Sequence, residues 1–251
     1  MSTTCGLVEP ALNILLFSPE ERIAGRAEIR LSGSRARHLR EVFGATPGKR
    51  LRAGEIGGAI GEATLESIDN NSVTLSFCAQ HEAPAKRPLT VVLALPRPKM
   101  LRRMLRTVAE TGVRELHLVN AQRVEKSYWQ SGLLDAATLE QYLLAGLEQS
   151  MDSVLPELQV HRGFRPFAED RLPALSRGRR ALLAHPTADT PCPAGGDTDT
   201  LLMIGPEGGF IDYEVDLALR AGLHPVGLGT RILRAETALT AILGRFLTGA
   251  A

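Results

Sequence analysis

The stretch that most constrains the fold is the apolar run 201–204, which ends at Gly205-Pro206 and is followed by the pair Gly208-Gly209. Four apolar residues in succession predict a short strand that is buried in a parallel sheet. Glycine adopts backbone angles closed to other residues and lets a ligand approach the main chain. Open α/β sheets bind ligands outside the carboxyl ends of their strands. The stretch therefore predicts either a ligand-binding loop or a plain strand-to-helix turn, and alone it leaves both interpretations open.

A second glycine-bearing bend, about twenty residues further on, favours the ligand-binding interpretation. Residues 226–229 predict a short strand and a bend, and after an irregular loop a helix runs to about Leu247. Helix N-termini offer free N–H groups and partial positive charge. Two such loops in one domain predict a cleft for a nucleotide-like ligand. Arg234 and Glu236 lie at the start of the last helix. The plain alternative is a surface ion pair plus a first-turn acid that suits the helix dipole; a helix cap explains Glu236, but it does not explain Arg234 beside a positive helix end.

The pattern of hydrophobic residues changes near residue 84. Residues 11–84 contain short strand-like runs, turn signals and one helix at 34–43 with a serine cap, which predicts a small barrel. The polar, proline-bearing segment 82–88 predicts a domain junction. Beyond it, strands alternate with helices, which indicates a mainly parallel sheet covered on both faces. We therefore predict an α/β protein with domains at 1–84 and 85–251.

Charge decides where a nucleic acid could bind. The chain has 29 basic and 28 acidic residues, so any basic surface must be local. Two predicted helices carry clustered cations, which would contact phosphates or simply solvate a helix face. The candidates for RNA contact are Arg35, Arg37, His38, Arg40, Lys99, Arg102, Arg103 and Arg106.

Several functional classes are excluded by missing patterns. Cys5, Cys78 and Cys192 lack the spacing of metal ligands or of a disulfide framework, which predicts a reducing cytosol and no metal. No apolar run could span a bilayer, and no secretory signal is visible, so we expect a soluble, cytoplasmic protein without a membrane partner. The common dinucleotide, Walker-type, zincin and nucleophile-elbow motifs are absent. The cleft must bind its ligand by another scheme.

The two glycine-rich segments resemble the signature motifs of the RsmE family. The similarity is carried by residues 204–210 with Glu214, and by residues 228–238. That family comprises SPOUT-class methyltransferases that methylate N3 of a uridine in small-subunit (16S) ribosomal RNA. The resemblance implies S-adenosylmethionine as cofactor, RNA as partner and a homodimer. It also implies a C-terminal SPOUT α/β domain with a deep trefoil knot, and an N-terminal PUA-like β-barrel that binds RNA.

The resemblance also implies which residues form the site. The expected cofactor-binding residues are His185, Ile204, Gly205, Pro206, Glu207, Gly208, Leu228, Gly229, Ile232, Leu233, Thr237 and Ala238. Uridine N3 must lose its proton before it accepts a methyl group, and a cation would steady the resulting anion. We expect Arg234 to supply that cation, and Glu236 to anchor it or to help with the proton.

The chain departs from the family pattern at four positions. Gly44, Thr107, Asp152 and Thr230 stand where arginine, lysine, arginine and proline are common. The first three changes remove cations expected to face RNA, and an acid at a phosphate site adds repulsion. They favour a paralogue with a different RNA target as one alternative. A non-catalytic RNA-binding protein with a vestigial cofactor pocket is another, but the intact segment 234–236 argues against it.

Overall fold

The structure is a computed structural model that describes residues 13–44 and 46–247, without the side chains of Val42 and Phe43. Cys5 lies outside the described residues. The chain forms two compact units that divide after Pro84. The first unit also contains Leu147–Val154, a segment that the sequence had assigned to the second domain.

Short strands and one helix build the first unit. Its elements are β1 (Leu15–Phe17), β2 (Glu28–Ser32), α1 (Gly33–Phe43), β3 (Arg50–Glu55), β4 (Ile60–Ile68) and β5 (Ser72–His81). The strands form one sheet in the order β1-β3-β4-β5-β2, antiparallel except for the parallel β1–β3 pair. Turns at Gly57-Gly58 and at residues 69–71 join β3 to β4 and β4 to β5.

Alternating apolar residues form the core of this unit. Phe17, Ile29, Leu31, Leu65 and Leu75 are fully buried, and helix α1 contributes Ala36 and Leu39. The serine cap predicted for that helix is wrong, because α1 begins one residue earlier and Ser34 lies within it. Ser32 occupies the N-cap position and makes no side-chain capping bond.

Strands and helices alternate in the second unit. Its elements are β6 (Arg87–Ala94), α2 (Pro98–Glu110), β7 (Val113–Val119), α3 (Ala136–Ser150), β8 (Glu157–His161), α4 (Phe164–Pro166), a π-helical turn (Phe167–Arg171), α5 (Leu172–Ser176), β9 (Arg180–Ala184), β10 (Thr200–Ile204), α6 (Asp212–Arg220), β11 (His224–Val226) and α7 (Ala235–Leu247). The last residues of α3 belong to the first unit. The six strands form a sheet in the order β11-β9-β10-β6-β7-β8, and every pairing is parallel. The predicted parallel α/β sheet is thereby confirmed.

The strand register brings three loops to one edge of this sheet. Ala184 pairs with both Ile204 and Val226, so β9, β10 and β11 end side by side. The predicted apolar strand β10 is buried along its whole length. The loops that begin at His185, Gly205 and Gly227 therefore leave from neighbouring points, where parallel sheets bind ligands.

The helices cover the sheet through one apolar face each. In α2 the residues Leu101, Met104, Leu105 and Val108 are buried, as their helical spacing predicts. In α7 the buried set includes Leu239, Ile242, Leu243 and Phe246. Within the described residues, no helix combines the length and apolarity needed to cross a membrane.

Candidate functional site

A cavity of about 320 Å³ opens where β9, β10 and β11 end. Its volume falls in the range of small-molecule and cofactor pockets, roughly 300–1,000 Å³. The lining comes from the loops after these three strands, from the start of α7 and from Arg123. The parallel sheet thus gathers into one wall residues that are up to about 120 positions apart in the chain, from the loop after β7 to α7.

Eleven of the twelve expected cofactor residues line this cavity. They are His185, Ile204, Gly205, Pro206, Glu207, Gly208, Leu228, Gly229, Ile232, Leu233 and Ala238. Thr237 is exposed and is not part of the lining. Helix α7 explains the difference, because Ala235, Ala238 and Ile242 recur at helical spacing on the face that borders the cavity.

Glycine is required by close packing at several points around the cavity. A Cβ atom on Gly205 would lie 3.1 Å from the Phe210 ring. A Cβ atom on Gly227 would lie 2.5 Å from the carbonyl oxygen of Ala188, closer than any real contact. Gly229 has a φ of 99°, which L side chains rarely adopt. The glycines of both motifs therefore set the path of the main chain, which leaves backbone groups accessible to a ligand.

The loop after β10 is held from outside by two neighbouring loops. The backbone N–H of Arg97 donates to Glu207 Oε1 at 3.1 Å, and Arg123 Nη1 donates to the carbonyl oxygen of Gly208 at 2.5 Å. Glu214 is only 3% exposed, and its carboxylate accepts the N–H groups of Gln122 at 2.7 Å and of Ile211 at 3.0 Å. This part of the first motif is therefore structural: it fastens the cavity wall to the loop that follows β7.

The two expected catalytic residues lie beside the cavity in sequence, but their side chains do not line it. Arg234 is exposed, and its carbonyl oxygen accepts the N–H of Ala238 in the first turn of α7. Glu236 is half-buried in the same turn. The arginines in the lining are Arg123 and Arg231.

The cations expected on α1 differ in their availability. Arg35 donates to the Glu21 carboxylate at 2.6 Å and also to the carbonyl oxygen of Leu16, so its guanidinium holds the unit together. Arg40 donates to the carbonyl oxygen of Asn70 at 2.7 Å. Arg37 and His38 are exposed.

Glu148, near the end of α3, belongs to the first unit and lies near two of these residues. Burial raises the pKa of its carboxyl group, and the nearby charges of Arg35 and His38 oppose that rise. The end of α3 therefore contributes a partly buried acid to the first unit.

The basic stripe on α2 is partly covered by an aromatic ring. The guanidinium carbons of Arg102 and Arg106 lie 5.8 and 5.4 Å from the centre of the Tyr142 ring. Lys99 and Arg103 are exposed. A guanidinium over a ring keeps its charge, so the stripe remains basic, although two of its four members are fixed in position.

Three of the four departures from the family pattern have local structural roles. Gly44 ends α1 with a φ of 49°, a left-handed cap that favours glycine over arginine. The hydroxyl of Thr107 donates to the carbonyl oxygen of Arg103 at 3.2 Å. Asp152 Oδ1 accepts the N–H of Val154 at 2.9 Å, which shapes the turn after α3. Thr230 is exposed, and the structure does not explain the replacement of proline there.

The turn shaped by Asp152 fastens the end of α3 to the first unit. The hydroxyl of the buried Ser153 donates to the carbonyl oxygen of Gly58 at 2.6 Å, and the carbonyl oxygen of Ser153 accepts the N–H of Gly57 at 2.8 Å. The acid at position 152 therefore serves the turn itself. Its presence does not by itself indicate that a phosphate site has been lost.

Sequence reasoning missed several lining residues, above all Arg123, Phe210, Arg231 and Ile242. Phe210, Arg231 and Ile242 lie in or next to the motif segments, where ring packing and helix phase decide the lining. Arg123 lies four residues after the end of β7, at the same edge of the sheet as the glycine loops. The rule that ligands bind at carboxyl strand ends would have singled out this loop, had the strand order been known.

The chain is similar to proteins of one kind. The model of the RNA methyltransferase domain family matches residues 83–247. A protein of Treponema pallidum (strain Nichols) named ribosomal RNA small subunit methyltransferase E is 33% identical over 244 residues, which cover 95% of this chain and 92% of that protein. A protein of the same name from Synechocystis sp. is 26% identical and covers 92% and 76%. The crystal structure of a ribosomal RNA small subunit methyltransferase E from Neisseria gonorrhoeae, bound to S-adenosyl methionine, has the same fold with a TM-score of 0.73 at 22% identity, covering 94% and 97%.

Proposed function

The chain belongs to the RNA methyltransferase family, and on that premise we propose that it uses S-adenosylmethionine to methylate N3 of a uridine in small-subunit ribosomal RNA. The observation that carries the proposal is the cavity at the ends of β9, β10 and β11. Both family-like motifs converge on it, although about twenty residues separate them. The names of the relatives in Treponema pallidum and Synechocystis support the small ribosomal subunit as the target.

The residues present fit an adenosine-containing cofactor. Ile204, Leu228, Leu233 and Ile242 provide an apolar slot for a flat ring, and the glycines of both loops leave main-chain groups accessible. Glu207 adds a carboxylate to the lining, which suits a ligand that carries positive charge. The cavity thus combines apolar surface with few polar groups, as cofactor sites commonly do.

The chemistry of transfer defines what the side chains must do. S-adenosylmethionine, when bound, supplies a methyl group on a positively charged sulfur. Uridine N3 must lose its proton to a base and must be held in line at near-attack distance, so positioning provides much of the rate. Arg234 would steady the negative charge on the base, and Glu236 would anchor Arg234 or help with the proton. Their place at the N-terminus of α7, directly beside lining residues, supports these roles.

Three architectural features belong to the same proposal. The first unit would be a PUA-like barrel that binds RNA through α1 cations such as Arg37 and His38, while Lys99 and Arg103 of α2 would contact RNA from the second unit. Arg35, Arg40, Arg102 and Arg106 belong to the same basic surfaces, and their guanidinium groups also contact the protein.

The second unit would carry a deep trefoil knot. The main chain of Gly227 is paired with residues 190–192: its N–H donates to the carbonyl oxygen of Thr190, and its own carbonyl oxygen accepts the N–H of Cys192. The N–H of Gly195 donates to the carbonyl oxygen of Arg245 on α7. The loop 185–199 thus lies against the chain both before and within the last helix, which supports a threaded C-terminus.

A homodimer completes the proposal. Ile232 lines the cavity and yet is 87% exposed, and exposed apolar side chains at the rim of a site are typical of interaction surfaces. A second copy would cover this side chain and close the cavity on that side. A protein that acts on ribosomal RNA would work in the cytoplasm.

Two measurements test the function. Calorimetric titration with S-adenosylmethionine asks whether the cavity binds the cofactor. Incubation with labelled cofactor and with small subunits from a strain lacking this gene, followed by nucleoside mass analysis, asks which base is methylated. We expect saturable binding and new N3-methyluridine in the small-subunit RNA.

The alternatives correspond to distinct results. Cofactor binding with transfer only to other cellular RNA would indicate a paralogue with a different target. Absence of cofactor binding in a folded protein would contradict the proposal and would indicate a vestigial pocket.

A further inference from the structure

The reaction needs positive charge next to the base, on the cavity itself. Loss of the N3 proton leaves an anion delocalised over the uracil ring, and such an anion is stabilised best by donors fixed before the reaction occurs. Arg123 lines the cavity, which places a second cation at the site in addition to Arg234 at the start of α7. Arg123 also comes from a loop outside both family-like motifs, so it is a separate source of charge.

A hydrogen bond to the cavity loop holds the Arg123 guanidinium in place. One of its five N–H groups donates to the carbonyl oxygen of Gly208, and the side chain is otherwise exposed. A Cβ atom on Gly208 would lie 3.2 Å from Arg123 Cδ, so the absence of a side chain at residue 208 lets the arginine lie along the loop. The guanidinium is therefore held at the cavity wall, with donors left over for a ligand.

The loop that carries Arg123 is stiffened on both sides. The N–H of Gln122 is held by the buried Glu214, and the N–H of Val124 donates to the carbonyl oxygen of Ala121 at 3.0 Å. Further along, the indole N–H of Trp129 donates to Asn120 Oδ1 at 2.7 Å, which closes the loop at its base. Fixing the backbone on either side of residue 123 reduces the entropy lost when its side chain binds.

A second cluster supports this side of the cavity. Tyr128 donates its hydroxyl to Glu125 Oε1 at 3.0 Å, and the hydrogen bond with Tyr128 raises the pKa of Arg97. The backbone N–H of Arg97 holds Glu207 of the cavity loop. Hydrogen bonds therefore connect the loops after β6, β7 and β10, and Arg123 is the cation that these loops contribute to the cavity lining.

We propose that Arg123 is a catalytic residue of the methyl transfer, contacting the target uracil from the wall formed by Gly208 and stabilising the negative charge that develops when N3 loses its proton. The inference rests on the proposed function. In the transfer step the N3 proton passes to solvent or to a base, the N3 electron pair forms the new N–CH3 bond, and the electrons of the broken S–CH3 bond return to sulfur. Arg123 takes no covalent part and keeps its proton throughout.

The test compares Arg123→Gln and Arg123→Lys with Arg220→Gln, which removes an exposed arginine in the last turn of α6. For each variant, cofactor affinity is measured by calorimetry, and kcat and KM are measured across pH. We expect Arg123→Gln to lower kcat about 100-fold, the loss typical of one removed transition-state donor. Cofactor affinity should stay within about twofold, because the glycine loops remain.

The pH profile separates a catalytic role from a structural one. A nearby cation lowers the pKa of N3, so its removal should move the alkaline rise of kcat to higher pH. Arg123→Lys keeps the charge and should restore part of kcat and most of the profile, whereas Arg220→Gln should match the wild type. Unchanged kcat in Arg123→Gln would overturn the proposal. A cofactor affinity that falls in step with kcat would also overturn it, because Arg123 would then serve to support the Gly208 loop.

The choice of substrate keeps this test apart from that of the proposed function. If small subunits accept no methyl group, the same variants are assayed on total RNA from the same strain. Transfer to that RNA would refute the ribosomal target while still testing Arg123. A wild-type protein that binds the cofactor but methylates neither substrate would refute both proposals.

Discussion

The two halves of the parallel sheet use their residues in opposite ways. On the side of β9, β10 and β11, the middle of β9 and residues 201–204 of β10 are apolar, and the strands are followed by glycine loops whose main chain borders the cavity. On the side of β6, β7 and β8, the sheet buries a row of polar side chains. His117 is fully buried, with Nε2 3.0 Å from Glu115 Oε1 and Nδ1 3.0 Å from His161 Nε2.

The polar row continues across the sheet. Thr90 donates to Glu115 Oε2 at 3.1 Å, and Arg179 donates to the Thr90 hydroxyl at 3.1 Å. Arg179 also pairs with Asp199 at 3.2 Å. One half of the sheet is therefore sensitive to added volume, because a ligand and the backbone share its space. The other half is sensitive to charge, because its polar groups satisfy one another away from water.

The largest effect is expected from Gly227→Ala. The new methyl group would meet the carbonyl oxygen of Ala188, so the chain between β11 and α7 would have to move. We expect unfolding free energy to fall by about 3 kcal/mol and cofactor binding to be lost. Denaturant unfolding and calorimetry measure the two effects.

Gly244→Ala provides the matched control, because a Cβ atom there meets open space within α7. It should leave cofactor binding unchanged and stabilise the helix by roughly 0.5–1 kcal/mol. Equal losses in both variants would refute the idea that this half of the sheet is limited by volume.

A smaller effect is expected from Glu115→Leu. The change leaves the buried His117 without its carboxylate partner and also removes the acceptor for Thr90. Unsatisfied buried groups cost about 1–3 kcal/mol, so we expect a loss of about 2 kcal/mol in chemical denaturation. Cofactor affinity should be retained, since the cavity lies in the other half. Glu115→Gln, which keeps an acceptor oxygen, should lose less; a large drop in cofactor affinity would show that the halves are coupled.

The next largest effect is expected from acid, which should destabilise the half of the sheet that contains β6, β7 and β8. Burial lowers the pKa of His117, an effect that Glu115 opposes, and burial followed by the charge of His117 lowers that of His161. The folded state therefore binds protons less readily than the unfolded chain. Each histidine makes its full contribution to the free energy of unfolding above the ordinary pKa of about 6.5. As the pH falls below that value, up to about 1.4 kcal/mol of this free energy is lost per pH unit, until the pKa of the folded state is reached.

Unfolding curves between pH 7.5 and pH 5, values chosen to span about one pH unit or more on either side of the ordinary pKa, measure this loss. His117→Gln should flatten the pH dependence, whereas replacement of the exposed His81 should not. A wild-type protein whose stability rises on acidification would contradict the buried neutral pair.

The smallest effect is expected from Arg165→Gln on α4. Arg165 and Glu169 form an exposed pair at 2.9 Å with i,i+4 spacing, and exposed pairs of this kind contribute little to stability because water and salt screen them. The change in denaturation midpoint should be barely measurable and should vanish at high salt. A loss of unfolding free energy as large as that of Glu115→Leu would mean that burial does not separate the exposed pair from the polar groups around Glu115.

The parts of the fold that the sequence predicts correctly are those that depend on local patterns of residues. The buried strand β10 and the alternation of strands and helices after residue 84 agree with the sequence, because apolar runs and periodicity depend on neighbouring residues. The serine cap of α1 was predicted wrongly, because composition does not show which of two nearby serines occupies the cap. Residues 147–154 were assigned to the second domain. The hydrogen bonds of Ser153 to Gly57 and Gly58 join positions about 95 residues apart in the chain, and local patterns do not reveal such contacts.

The sequence by itself determined the chemistry of the two loops, residues 204–210 and 228–238, because glycine placement and apolar runs are local properties. Only the tertiary structure decided what surrounds them. The position of Arg123 against Gly208, and of His117 between Glu115 and His161, depends on which strands become neighbours. That order follows from the packing of the whole sheet, and no short stretch of residues encodes it.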